Sequence, residues 1–127
     1  MGLPPHRIKQ FEQYLQTLVP LLKGEESELH VGNKALPIKH IMPDNGFVNF
    51  KDAIPLYISG FGPKSLALAG KYGDGAVLGV NTPETVSGMW HLIQEGAKEI
   101  NRELKPKENY YTCLLYTSPS PRDATLS

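Results

Sequence analysis

Apolar residues recur at three- and four-residue steps in two parts of this chain and bunch into short runs between them. Ile8, Phe11, Leu15, Leu18 and Leu22 form one stripe, which predicts a helix from Pro4-Pro5 to about Lys23, ended by Gly24. Pro20 lies inside that span, so its last turn is expected to kink or restart. Val86, Met89, Trp90, Ile93, Ala97 and Ile100 form a second stripe and predict a second amphipathic helix. Its start is marked by Thr82-Pro83-Glu84: a capping hydroxyl, a proline at the first helical position and an acid in the first turn. Trp90 belongs to this stripe and reads as core rather than as a stacking platform. The charged stretch Arg102 to Glu108 carries Pro106 and closes the helix. Between the stripes, Glu25 to Gly32 reads as a polar connector. Leu36 to Met42 and Phe47 to Phe50 flank Pro43-Asp44-Asn45-Gly46 and predict a β-hairpin.

The segment that organises the rest is Ile54 to Gly79, IPLYISGFGPKSLALAGKYGDGAVLG. Ile54 to Ile58 is a short run of β-branched and aromatic residues, as in a buried strand. Ser59-Gly60-Phe61-Gly62 breaks it with two glycines, which tolerate backbone angles a Cβ forbids. Pro63 opens a helix to about Tyr72, and Gly73 is placed to end it in the left-handed conformation. Asp74-Gly75 turns the chain, and Ala76 to Gly79 begins a second buried strand. Tyr110-Tyr111-Thr112 looks like a third. This is a βαβ unit with parallel strands, so Ser59–Pro63 and Gly79–Thr82 share the carboxyl end of the sheet, where ligands bind. Asp74 falls at the opposite end and reads as structural.

A glycine loop feeding a helix N-terminus brings free N–H groups and the positive end of the helix dipole to one spot. Lys64 adds a charge and Ser65 a hydroxyl. The P-loop is excluded, because Pro63 stands where that motif needs glycine before the lysine. The dinucleotide fingerprint is excluded too, because Ser65 occupies its last glycine position. Spacing alone leaves an anion site and a plain tight turn equally open.

The same residues resemble the mid-to-late barrel segment of the luciferase-like monooxygenase superfamily. The family pattern is I-P-V-Y-I-A-A-x-G-P, a helix ending A-G, then A-D-G and a strand. Ile54, Pro55, Tyr57, Ile58, Gly62, Pro63, Ala69, Gly70, Asp74 and Gly75 match it. The helix ending Leu21-Leu22-Lys23-Gly24-Glu25 is also similar, and the match covers most of Met1 to about Thr112. Ser59 and Gly60 depart from the family's small apolar pair. The resemblance implies an α/β fold, a (β/α)8 TIM barrel, and an oxidoreductase using FMN or an 8-hydroxy-deazaflavin coenzyme. It implies that Ser59, Gly60, Phe61, Gly62, Pro63, Lys64, Ser65 and Gly79 contact the cofactor, largely through backbone groups. A complete barrel needs about 200 residues or more, so 127 residues are expected to form part of one: helix, hairpin, then β–α–β–α–β with parallel strands. Catalytic groups are expected on earlier strands of an intact parent, and the part alone is expected to be inactive. The parent is expected to act on a small molecule and to be a homodimer.

Charge narrows the partners. Thirteen basic residues balance 13 acidic ones, which gives no electrostatic case for nucleic acid or an anionic membrane. No apolar run approaches a membrane span, no signal peptide is visible, and the expected location is the cytoplasm. Cys113 is the one cysteine, so an internal disulfide is excluded. His30 and His40 lack a third ligand at a regular spacing, and no metal site is expected. The rival function is a non-enzymatic α/β module that holds a phosphorylated ligand on the same loop. A third reading is a piece with no function of its own. The run from Cys113 to Asp123 resembles, residue for residue, the translation of a transposase sequencing adapter. Residues 1–112 are therefore expected to form the barrel segment, and residues 113–127 to be read-through from a DNA library.

Overall fold

The computed structural model describes residue 2, residues 4–79 and 82–104, and the backbone of 111–113. Its contacts divide into two compact units, Met1–Pro55 and Leu56–Ser127.

In the first unit, helix α1 (Ile8–Leu22) runs through Pro20. It ends as the sequence indicates, with Gly24 at φ +78°. The Gly24 N–H donates to the Leu21 carbonyl and the Glu25 N–H to the Pro20 carbonyl, the paired bonds of a Schellman cap. Leu15 and Thr17 are its buried residues. The Thr17 hydroxyl donates to the Glu28 carbonyl and the Ser27 hydroxyl donates to the Thr17 carbonyl, both at 2.8 Å, which ties α1 to the next element.

That element is a strand, where the sequence pattern led us to expect a connector. β1 (Ser27–Val31) and β2 (Lys34–Ile38) pair antiparallel, with Leu29 opposite Leu36 and Val31 opposite Lys34. Gly32 and Asn33 make the two-residue turn, and Gly32 takes φ +61° at its first position. The hairpin expected around Pro43–Gly46 does not form. Pro43–Asn45 is instead a 3-10 turn set between two left-handed residues, Met42 at φ +54° and Gly46 at φ +74°. The Phe50 ring lies on Gly24, where a Cβ would stand 2.8 Å from Cγ.

The second unit is the βαβ segment extended by a further helix and strand. β3 (Tyr57–Ser59), β4 (Gly75–Gly79) and β5 (Tyr111–Cys113) form a parallel sheet in the order β3-β4-β5. Helix α2 (Pro63–Tyr72) joins β3 to β4 with the bounds the sequence indicates. β3 begins at Tyr57 rather than Ile54, which is half exposed. Leu56 is drawn instead into the bracket that closes the α2–β4 turn, where its carbonyl accepts from the N–H groups of Asp74 and Gly75. Gly73 ends α2 in an extended conformation, φ −84°, and not in the left-handed one. Its glycine is required by space: a Cβ would stand 2.8 Å from the Ala69 carbonyl oxygen.

Helix α3 (Pro83–Glu99) starts as expected, with Thr82 Oγ1 accepting from the Thr85 N–H. It stops at Asn101 (φ +55°), before the charged stretch, with Asn101 N–H bonded to the Lys98 carbonyl and Arg102 N–H to the Ala97 carbonyl. Ile93 and Ala97 are buried, but Ile100 is 47% exposed and leaves the stripe. Pro106 and Tyr110 lie outside the described residues, as do Leu114 and everything after it.

The core of this unit is Ile58, Ala76 and Leu78 from the sheet with Leu66, Leu68, Ala69, Ile93 and Ala97 from the helices. α2 and α3 meet backbone to backbone. A Cβ on Gly70 would land on the Ile93 carbonyl oxygen, and one on Gly96 would land on the Ala67 backbone. Gly70→Ala and Gly96→Ala should each destabilise the fold by about 2 kcal/mol or more, because backbone atoms cannot yield as a side chain can. Gly88, in the same helix with nothing within 4 Å of an added Cβ, is the control. Gly88→Ala should stabilise by about 0.5–1 kcal/mol. Urea unfolding of the three variants checks this, and equal midpoints for Gly70→Ala and Gly88→Ala would remove the close crossing from the account.

Candidate functional site

The loop after β3 and the last residue of β4 come together at the carboxyl end of the sheet. Side chains alternate along a strand, and burial follows the alternation. Ile58, Ala76 and Leu78 are buried on the face that α2 packs against, while Ser59 and Val77, paired in register, are exposed on the other. Gly79 ends β4 on the same side as Val77. From the tip of the β3–α2 loop, the Phe61 ring reaches across to Gly79, where a Cβ would be 2.7 Å from Phe61 Cε1. Ser59 and Gly79, expected from the parallel βαβ arrangement at one end of the sheet, are brought there together. Val80 and Asn81 lie outside the described residues.

Neither loop glycine uses the backbone freedom expected of it. Gly62 is extended, φ −92° and ψ 161°, and its missing Cβ faces nothing nearer than Ser65 Oγ at 4.0 Å. Gly60 is buried, and a Cβ there would collide with Ser65 Oγ at 2.7 Å. Gly60 thus makes room for Ser65, whereas Gly62 leaves open space in front of the helix. The Ser65 hydroxyl donates to the Gly62 carbonyl at 2.9 Å and so is already engaged within the loop. Pro63 has no N–H, the Leu66 N–H makes the first helical bond to Gly62, and no side chain caps the helix. The Lys64 and Ser65 N–H groups therefore have no acceptor among the described residues. Lys64 and Phe61 are exposed beside them. Such a helix start can accept an anion through backbone groups, with Lys64 as an added charge.

Asp74 lies at the other end of the sheet. Its Oδ2 accepts the Leu56 N–H at 2.9 Å, and its Oδ1 is 3.4 Å from Arg102 Nη2. Arg102 also donates through Nη1 to the Gly70 carbonyl at 3.1 Å. One carboxylate and one guanidinium thus join the start of β3, the end of α2 and the end of α3. Arg102 had no local signal in the sequence, since its partners lie about 30 positions away.

His6, His30 and His40 belong to the first unit, whereas His91 faces Glu95 one turn along α3. His40 Nε2–H donates to the Leu21 carbonyl at 2.8 Å, and its ring stands 4.7 Å from that of Phe50. His6 and His30 line an open cleft of about 410 Å³ with Gln10, Gln13 and Tyr14, and no carboxylate or thiol joins them. Among the described residues no group of three or more His, Cys, Asp or Glu could hold a metal ion, and no helix is long and apolar enough to cross a membrane.

A comparison with known families matches residues 3–125 to the luciferase-like monooxygenase model. The chain belongs to the luciferase-like monooxygenase family. The matched stretch runs past Thr112 and takes in most of the Ser/Pro-rich tail. Two residues that carry the family resemblance have a structural task in this luciferase-like chain: Gly70 admits α3, and Asp74 brackets β3. Asp74→Ala should cost about 1 kcal/mol, held down by the half-exposed carboxylate, because it strips the Leu56 N–H and Arg102 of their acceptor. Asp74→Asn should cost less, since an amide oxygen can still accept the Leu56 N–H. Thermal unfolding of the two variants measures the difference, and an unchanged midpoint for Asp74→Ala would remove the bracket from the stability account.

Proposed function

We propose that this chain is part of an FMN- or deazaflavin-dependent oxidoreductase of the luciferase-like type, and that its Gly60–Ser65 loop holds the cofactor's phosphate. The observation that carries the reading is the uncapped N-terminus of α2, which opens on free space at Gly62 beside the exposed end of a parallel sheet. Parallel sheets are normally covered on both faces. Here Ser59 and Val77 are exposed on the face opposite the helices, as they would be on the inner wall of a (β/α)8 barrel awaiting its other strands.

The residues present fit a phosphate. The Lys64 and Ser65 N–H groups would donate to two of its oxygens, and the helix dipole and Lys64 would offset its charge. The bound cofactor would supply the redox chemistry, with oxygen for a reduced flavin or by hydride exchange for a deazaflavin. This chain's residues would only hold and orient it, and the part alone should turn over no substrate. The tail from Cys113 onward is proposed to be adapter read-through. Its resemblance to the adapter translation favours that origin and the extent of the family match opposes it. Resequencing the source DNA across the Thr112 codon decides the matter.

Titration of the chain with FMN, followed by amide chemical shifts, should perturb Gly60 to Ser65 with a Kd on the order of 0.1–1 mM, displaced by inorganic phosphate. Gly62→Val tests the loop directly. Its backbone angles suit valine and the space is empty, so the variant should fold normally while its side chain blocks the ligand. Affinity for FMN should fall at least tenfold in Gly62→Val and by less than that in Lys64→Ala, where the backbone donors remain. Undiminished FMN binding by folded Gly62→Val would reduce the loop to a turn.

A further inference from the structure

We propose that Phe61 and Gly79 form a latch that positions the Gly60–Gly62 loop, and that Gly79 serves the site by making room for an aromatic ring rather than by touching a ligand. The proposal rests on the reading of this loop as a phosphate site. Phe61 stands between two glycines and its ring is 65% exposed. A large apolar side chain on so flexible a loop takes a fixed place only if something holds it. The end of β4 does so. A Cβ built at Gly79 would stand 2.7 Å from Phe61 Cε1 and 3.2 Å from Cζ, so the ring edge occupies the space that any other residue at 79 would fill.

No other feature of Gly79 calls for glycine. Its φ is not positive, and it lies in a regular strand, where glycine is a weak choice. Gly62 faces open space, and Gly60 yields to Ser65, so neither shares this relation. The contact links the loop after β3 to the end of the next strand in the sheet. It thereby restrains the segment from which the uncapped Lys64 and Ser65 N–H groups emerge. A loop ordered in advance loses less conformational freedom when an anion arrives, and affinity rises accordingly. Phe61 is thus a positioning residue, acting through the backbone that follows it.

A double-mutant cycle on the full chain tests this, with circular dichroism to establish folding. Two readouts are used: hydrogen exchange of the Gly60–Ser65 amides by NMR, and Kd for FMN. Gly79→Ala should speed loop exchange about tenfold and weaken FMN binding roughly three- to tenfold, because its methyl group evicts the ring. Phe61→Ala should do the same, and Gly79→Ala added to Phe61→Ala should change neither readout further. Phe61→Leu should restore most of both. Equal effects of Gly79→Ala in the two backgrounds, or unchanged exchange in Phe61→Ala, overturns the latch. Should Gly79→Ala not fold, the comparison of Phe61→Ala with Phe61→Leu decides. If the wild-type chain binds neither FMN nor phosphate, the phosphate-site reading fails, while the exchange cycle still accepts or rejects the latch.

Discussion

The contact on which the second unit depends is the crossing of α2 and α3 without side chains between them. At Gly70 the α2 backbone lies against the Ile93 carbonyl, and at Gly96 the α3 backbone lies against Ala67. Dispersion falls steeply with distance, so bringing two backbones together gains contacts over many atoms at once. It also fixes the spacing, because neither surface can give way. Leu66, Ile93 and Ala97 are fully buried around that crossing. Arg102, just past the end of α3, reaches the Gly70 carbonyl and Asp74 from the same crossing. The helix that carries the candidate site at its N-terminus is therefore held along its C-terminal half, while Phe61 to Lys64 at its other end are exposed.

This division of labour follows from the opposite characters of the two sheet ends. At the amino end protein groups bond one another: Asp74 takes the Leu56 N–H, and the Leu56 carbonyl takes two N–H groups in return. At the carboxyl end the first turn of α2 keeps donors without acceptors among the described residues, next to an exposed lysine. Buried polar groups are normally satisfied. The exposed first turn of α2 falls outside that rule; it lies uncapped at the sheet end where α/β proteins bind ligands, and its place there carries the functional reading.

The βαβ segment was legible because its signals are local. Pro63 starts α2, Gly73 ends it and Thr82-Pro83 starts α3, each through chemistry confined to a few residues. What Gly73 contributes was misread: the sequence suggested a left-handed angle, and the structure uses its lack of a side chain instead. The same holds for Gly60. Glycine is ambiguous between conformation and space, and only tertiary neighbours resolve it. The hairpin was misplaced for a related reason. Pro43-Asp44-Asn45-Gly46 carries stronger turn residues than Gly32-Asn33, but strands pair only if the flanking segments can meet in register. Met42 and Gly46, both left-handed, turn that stretch into a 3-10 element instead. Hydroxyl bonds from Thr17 and Ser27 draw the earlier segment onto α1 and select it as the strand.

The candidate site was only half legible, and the division is physical. Which loops share an end of the sheet follows from strand alternation and parallel pairing, so Ser59, Gly62 and Gly79 could be grouped from their order in the chain. What each does there depends on which atoms fill the space around it. Ser65 offered a hydroxyl in the sequence, yet that hydroxyl is turned onto the Gly62 carbonyl. Gly79 looked like a place for a ligand to approach, yet Phe61 already lies on it. Of the glycines at the site, Gly62 is the one with both an ordinary backbone angle and empty space. Gly88 has the same freedom in the middle of α3; what sets Gly62 apart is its place directly before the uncapped Lys64 and Ser65 N–H groups, where a side chain would stand in the way of anything that approached them.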